Sequence, residues 1–391
     1  MIHPFIFSRL PEIHFGEGQY DKLILKMKQQ GNNALIITGH SSFVKSRPWG
    51  KLIAEMSFAG ISYENVKLSG EPTVSFIDLV VEKYKSKLPT VVVAIGGGSV
   101  MDAGKAISAM LTVEGSVQDY LEITGPTSIH PGTKIPFIAV PTTAGTGSEV
   151  TKNAVISVSG ENGFKSSLRH DNFVPDVAIV DPRLTISCPF ETTAASGLDA
   201  LTQLIESYLS PHASVMTDSL VLSGIDAVMR NIEHACKEPD NLEARKEMSY
   251  AAMLSGIVLA NAGLGAVHGF ASSVGGYRDI PHGVICGTML GAVNRKNIQK
   301  VLAEHKGTEL YSKYLKMAKL LGNFKMKTDD FIIEFFAEEI DNKIKRLNIP
   351  LLGRYGIDFN DVESIVSKTS IKNNPVVLNK EDLSEILLER I

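Results

Sequence analysis

A chain of 391 residues, 44% of them hydrophobic, is long enough for two or three domains with sizeable cores. Its 39 Lys and Arg against 43 Asp and Glu leave a formal net charge of −4, which excludes the basic imbalance of a nucleic-acid binder. No apolar run reaches membrane-spanning length and the first nine residues lack the regions of a secretory signal, so a cytoplasmic protein with no membrane partner is expected. The three cysteines, Cys188, Cys236 and Cys286, show no CxxC spacing. Buried reduced thiols are expected, rather than a disulfide framework or a thiolate zinc site.

In chain order, residues 19–30 read as an amphipathic helix stopped by Gly31. Residues 33–38 form an apolar strand ending at Gly39, followed by a helix over 42–56, a strand over 61–68 and a helix over 74–87. This alternation predicts a parallel sheet with helices on both faces, and a ligand beyond the carboxyl ends of the strands. The first strand runs into Gly39-His40-Ser41-Ser42 with no carboxylate to hold a ribose 2′-hydroxyl, which favours NADP over NAD.

The next strand, Thr90 to Ile95, enters Gly96-Gly97-Gly98-Ser99 and then small residues at helical spacing. Glycines allow close backbone approach to an anion, and the first N–H groups of a helix have no internal partner, so this is a candidate phosphate cradle. Ser99 is the expected N-cap. A strand over 135–140 then leads into Pro141-Thr142-Thr143-Ala144-Gly145-Thr146-Gly147-Ser148-Glu149. Its hydroxyls, at Thr142, Thr143, Thr146 and Ser148, suit a diphosphate or a nicotinamide carboxamide. Glu161-Asn162-Gly163 signals a hairpin turn, and Lys165 beyond it is a candidate phosphate contact. A strand over 176–181 closes this half.

From about residue 186 the pattern becomes helical, over roughly 189–210, 214–235, 240–260, 283–303, 307–321 and 328–345, with short helices beyond. In the first of these, Asp199 and Gln203 share a face at i and i+4. Two glycine-flanked histidines follow, His268 and His282. An Asp, a Gln and two His are able to hold a divalent cation with a position open for substrate. Taken singly, each also reads as an ordinary buried or surface polar residue.

Gly96-Gly97-Gly98-Ser99 with Asp102 and Lys105, the Pro141–Glu149 segment, Asp199-Ala200-Leu201-Thr202, and His268 fourteen residues before His282 occur in the order and spacing of one family. The chain resembles the iron-containing, group III alcohol dehydrogenases over essentially its whole length. The resemblance implies an α/β dinucleotide-binding domain with a doubly wound, mostly parallel sheet over 1–185, and an all-α domain over 186–391. This architecture is shared with dehydroquinate synthase. Also implied are Asp102 in the cofactor site, Fe2+ or Zn2+ facing a nicotinamide, a small alcohol or aldehyde substrate, and a homodimer, commonly built through an N-terminal strand.

Two positions depart from the family pattern. Gln203 stands where a ligating histidine is usual, and an amide oxygen is a weaker ligand than imidazole. Ser272 stands where many members carry a pocket histidine, and a hydroxyl passes a proton only along a chain. The expected reaction is hydride transfer between an alcohol and a carbonyl compound. Asp199, His268 and His282 are its expected metal ligands, Gln203 the fourth, and Ser272 a pocket residue. Competing readings are a polyol dehydrogenase or dehydroquinate synthase-type enzyme, and a nucleotide-binding sensor without catalysis.

Overall fold

A computed structural model describes residues 2–122, 128–158 and 164–391, and the chain divides into two compact units. One is Ser8–Cys188. The other is Pro189–Ile391 together with the N-terminal residues as far as Phe7.

The Ser8–Cys188 unit runs β1 (Glu12–Phe15), α1 (Leu23–Gln30), β2 (Asn33–Gly39), α2 (Arg47–Ala59), β3 (Ser62–Leu68), α3 (Val74–Lys85), β4 (Val91–Gly96), α4 (Gly98–Met110), β5 (Phe137–Pro141), β6 (Asn153–Val158), β7 (Phe164–Arg169) and β8 (Val177–Val180). Six strands form a parallel sheet in the order β1-β8-β5-β4-β2-β3. Strands β6 and β7 form a separate antiparallel pair. The turn expected at Glu161-Asn162-Gly163 lies outside the described residues.

The continuous apolar runs are explained by burial on both faces of the sheet. Along β4, Val92 and Ala94 enter a core that includes Ile77, Met101 and Ile107 of α3 and α4. Val91, Val93 and Ile95 enter the opposite core, with Leu23, Met27, Leu52 and Met56 of α1 and α2. From β2 the chain steps outward to β3 and then returns past β2 to β4, so the strand order reverses between β2 and β4. Their carboxyl ends, Gly39 and Gly96, therefore flank the topological switch point where ligands of open α/β sheets bind.

Local chemistry sets some element boundaries away from expectation. The helix expected from residue 42 begins only at Arg47, because Ser46 is extended and its hydroxyl accepts from the Trp49 amide, with Pro48 in the first turn. Ser99 is not the N-cap of α4. That position is Gly97, and Ser99 lies inside the first helical turn.

The second unit is all-helical: α5 (Phe190–Leu209), α6 (Val215–Lys237), α7 (Leu242–Ala262), α8 (Ala266–Tyr277), α9 (His282–Glu304), α10 (Glu309–Lys319), α11 (Asp329–Arg346), α12 (Val362–Lys368) and α13 (Lys380–Leu388). Helix α5 is buried along nearly its whole length, packed against α6, α7 and α9. Helix α8 has no counterpart among the long helices expected from periodicity. Its sequence AVHGFASSVGGY is rich in glycine and serine, which are weak helix formers, and tertiary packing carries it. Among the described residues no single helix is long and apolar enough to cross a membrane.

Candidate metal centre

Helices α5, α8 and α9 converge on one cluster. Asp199 comes from the middle of the buried α5, His268 from the first turn of α8, and His282 from the first residue of α9. His268 Nε2 lies 3.3 Å and His282 Nε2 3.7 Å from Asp199 Oδ1. Glycine follows each histidine for a packing reason. A Cβ at Gly269 would lie 1.9 Å from the Ser370 carbonyl oxygen, and one at Gly283 would lie 2.5 Å from that of Ala195. Only glycine lets α8 and the start of α9 approach closely enough to deliver the two imidazoles.

The residue next along the same face of α9 is Cys286, at i+4 from His282. Its Sγ is 3.5 Å from His282 Nε2 and 3.7 Å from His268 Nε2. Asp199, His268, His282 and Cys286 each offer one donor atom, and these four atoms lie within 4.8 Å of one another. Cys236 and Cys286 are buried and unpaired to sulfur, as expected, whereas Cys188 is only half-buried; Cys286 in addition stands among the groups able to hold a metal. Cysteine spacing gave no sign of this, because Asp199 and His268 come from other helices; the i+4 relation to His282 on α9 was the available signal.

Behind the cluster, His268 Nδ1 donates to Glu206 Oε2 at 2.6 Å, and the Val267 amide donates to Glu206 Oε1 at 2.6 Å. That bond leaves the Nε2 lone pair of a neutral His268 aimed at the cluster, the arrangement found behind metal-ligating imidazoles. Glu206 was not singled out in the sequence, although it sits two helical turns after Asp199 on α5. The Gln203 amide oxygen accepts from Ser255 Oγ of α7 at 2.7 Å. Ser272 is exposed, one turn beyond His268 on α8.

The electrostatics follow the geometry. Burial pushes the Asp199 pKa up, but His282 and His268 outweigh it and hold the carboxyl below its ordinary value. Burial opposes charge on His268, yet Cys286, Glu206 and Asp199 raise its pKa well above the usual value. Cys286 and Asp199 raise that of His282 against burial. Cation-attracting groups thus converge in a desolvated place. One carboxylate, two imidazoles and a thiol match the donor chemistry of a divalent transition metal. The Asp199 and His268 side chains are 2% and 11% exposed and that of His282 37%, so the cluster is open on the His282 side.

In the Ser8–Cys188 unit, the candidate cofactor residues gather at the switch point. The Thr142 amide donates to the Gly96 carbonyl, 2.8 Å. A Cβ at Gly97 would meet Thr143 Oγ1 at 3.3 Å, and one at Gly98 would meet Thr146 Cγ2 at 2.7 Å. None of the three glycines has positive φ. Gly97 and Gly98 are required by close approach of the hydroxyl loop, whereas a Cβ at Gly96 would meet the Val100 side chain of α4 at 2.6 Å; the packing places Gly97, Gly98, Ser99, Thr142, Thr143 and Thr146 around one helix N-terminus. Gly39 ends the adjacent strand β2, and Ser41 follows it.

Asp102 lies one turn further along α4 and accepts from Ser148 Oγ at 2.6 Å and from the Val155 amide at 3.1 Å. Lys105, buried beside it, binds the Ser148 and Asn153 carbonyls and the hydroxyls of Ser148 and Thr151. These residues brace the loop from within. Lys165 Nζ pairs with Glu71 Oε1 at 2.6 Å, and Ser157 donates to the other oxygen of that carboxylate.

A doubly wound parallel sheet followed by an all-helical unit carrying a buried Asp–His–His–Cys cluster defines an α/β plus all-α protein of the dehydroquinate synthase-like class. Comparison with known proteins gives the family. Residues 11–182 match the model of the iron-containing alcohol dehydrogenases, and residues 193–391 match that of their C-terminal region. The chain is 30% identical to long-chain-alcohol dehydrogenase 1 of Geobacillus thermodenitrificans, over 96% of this chain and 94% of that one. It is 30% identical to the NADPH-dependent butanol dehydrogenase of Clostridium saccharobutylicum, over 97% and 96%. A crystal structure of 1,3-propanediol oxidoreductase superposes over 100% of both chains with a TM-score of 0.90 and 29% identity. The protein belongs to the iron-containing alcohol dehydrogenase family, whose members are oxidoreductases acting on CH–OH groups.

Proposed function

We propose that this protein is an NAD(P)- and divalent-metal-dependent alcohol dehydrogenase, interconverting a small alcohol with its aldehyde or ketone. The observation that carries the reading is the convergence of Asp199, His268 and His282 from three helices on one buried point, with Glu206 fixing the His268 ring. The chemistry supplied by the bound groups is Lewis-acid polarisation of the substrate oxygen and hydride exchange at the nicotinamide.

The chain's own residues bind and orient. Asp199, His268 and His282 hold the cation, Asp199 contributing the negative charge. Ser272 offers a hydroxyl one turn beyond His268, through which a proton passes to water. Gly97, Gly98 and Ser99 present the free amides of the first turn of α4 to a diphosphate. Thr142, Thr143 and Thr146 supply the adjoining hydroxyls, Ser148 and Asp102 brace their loop from within, and Lys165, paired with Glu71, is the candidate phosphate contact. Gly39 and Ser41 receive the adenosine ribose. The lack of a carboxylate there favours NADP, in keeping with the NADPH-dependent butanol dehydrogenase relative. A homodimer in the cytoplasm completes the reading; the exposed apolar Ile2, Phe5, Ile6 and Leu10 near the N-terminus support the association, not the location.

His282→Ala tests the assignment. Turnover of a panel of short alcohols and aldehydes is lost while NADPH binding, followed by fluorescence, is retained. Undiminished turnover at saturating substrate with metal supplied would reject His282 as a ligand.

A further inference from the structure

We infer that Cys286 is the fourth protein ligand of the metal, taking the part that Gln203 is too weak a donor to fill, and that it shifts the site's preference toward thiophilic ions such as Zn2+ and Co2+. The inference rests on the metal-centred reading above.

Distances carry the first part of the argument. With metal–nitrogen and metal–oxygen bonds of about 2.0–2.1 Å and a metal–sulfur bond of about 2.3 Å, a tetrahedral site separates N and O donors by about 3.3 Å and N and S donors by about 3.6 Å. The observed separations are 3.3 and 3.7 Å from Asp199 Oδ1 to the two imidazoles, and 3.5 and 3.7 Å from Cys286 Sγ to the same nitrogens. Four of the six donor–donor separations thus match the spacing of a coordination tetrahedron, and all four donor atoms lie within 4.8 Å of one another.

Charge and donor type carry the second part. Asp199 with two neutral imidazoles and a neutral amide would leave a divalent ion with net positive charge in a buried place. A thiolate in the amide's stead brings the cluster to neutrality, which lowers the cost of burial. The Gln203 oxygen is already engaged by Ser255 Oγ. Thiolate is the softest donor present and discriminates toward Zn2+ and Co2+ over oxygen-preferring ions. The thiol proton leaves to solvent as the metal enters.

The experiment is reconstitution of the metal-free full-length protein with Co2+, read by absorption spectroscopy and elemental analysis. The expected result is about one Co2+ per chain with a sulfur-to-cobalt charge-transfer band in the near ultraviolet. Cys286→Ser loses that band and binds Co2+ at least about 10-fold more weakly, since loss of even an outer-shell partner has that effect. Gln203→Ala keeps the band, and an unchanged circular dichroism spectrum and melting temperature of metal-free Cys286→Ser exclude misfolding as the explanation. Stoichiometric Co2+ without the band would overturn Cys286 as a ligand and leave the metal-centred reading standing. Failure to take up Co2+, Zn2+ or Fe2+ at all would overturn both.

Discussion

Glu206 Oε2 accepts a 2.6 Å hydrogen bond from His268 Nδ1, and the other oxygen of the same carboxylate accepts from the amide of Val267, so one side chain of α5 fixes both the ring and the backbone at the start of α8. Orientation of the imidazole is therefore set from outside the cluster. Glu206→Gln keeps the shape and removes the charge that favours an Nδ1–H tautomer. Metal affinity should fall about 10- to 100-fold, the usual effect of losing an outer-shell carboxylate, with little change in melting temperature of the metal-free protein. Competition with a chelator measures this, and unchanged affinity would deny Glu206 that role.

Gly269 and Gly50 are both helical glycines with opposite expectations. Alanine at 269 would place its Cβ 1.9 Å from the Ser370 carbonyl oxygen, a backbone atom that cannot rotate away. Gly269→Ala should destabilise by about 1–3 kcal/mol or more and weaken metal binding through the displaced His268. Alanine at 50, on α2, meets nothing within 4 Å and should stabilise by about 0.5–1 kcal/mol. Chemical denaturation of the pair separates steric conflict from a general response to added methyl groups.

Lys105 has three ammonium protons for four acceptors: the carbonyls of Ser148 and Asn153 and the hydroxyls of Ser148 and Thr151, at 2.7–3.1 Å. Burial pushes its pKa down to about 8, and Asp102 and Glu149 counter that by favouring the charge. Lys105→Met leaves buried acceptors and carboxylates without their cation. A loss of about 3 kcal/mol or more is expected. Affinity for NADPH should fall with it, while metal uptake by the helical unit stays unchanged. Equal loss of both would mean a global unfolding effect.

Glu233 joins α6 to α11, its Oε1 accepting from Lys343 Nζ and Arg346 Nε at 3.0 Å each, with Lys237 on Oε2 at 3.3 Å. Partial burial alone would raise its pKa, but the three cations outweigh it and lower the pKa to about 2 from an ordinary 4.5. A carboxyl with a depressed folded-state pKa contributes stability that is fully present above about 4.5 and lost as the pH falls toward 2. Because Arg346 and Lys237 are solvent-exposed, that contribution is about 1–2 kcal/mol. Glu233→Gln should therefore be less stable than the parent by that amount at pH 7, and the gap should close below pH 4.5. A gap that persists unchanged at pH 3 would assign the effect to packing.

Residues 33–38 and 90–95 announced central parallel strands because burial on both faces demands uninterrupted β-branched and aliphatic residues, and β2 and β4 occupy those positions. The hydroxyl loop after β5 and the glycine turn after β4 were legible as candidate cofactor contacts, and the structure packs the two segments against each other. That Gly97 and Gly98 serve the approach of Thr143 and Thr146 required the packed loop. Asp199, His268 and His282 were legible as a set through family order and spacing, because helical periodicity alone places no residue of α5 beside one of α9.

What the sequence determined by itself is the alternation of buried strands and helices, the helical second half and the residue types available for metal chemistry; these follow from local periodicity and composition, which act over a few neighbouring residues. What only the tertiary structure decided is which side chains meet. Cys286 reads as an isolated apolar thiol until α9 packs beside α5 and α8 and brings its sulfur within 3.7 Å of both imidazoles. Helix α8 forms from weak helix-forming residues because Gly269 can lie against the Ser370 carbonyl. Such contacts depend on close packing between segments remote in the chain, and no local pattern encodes them.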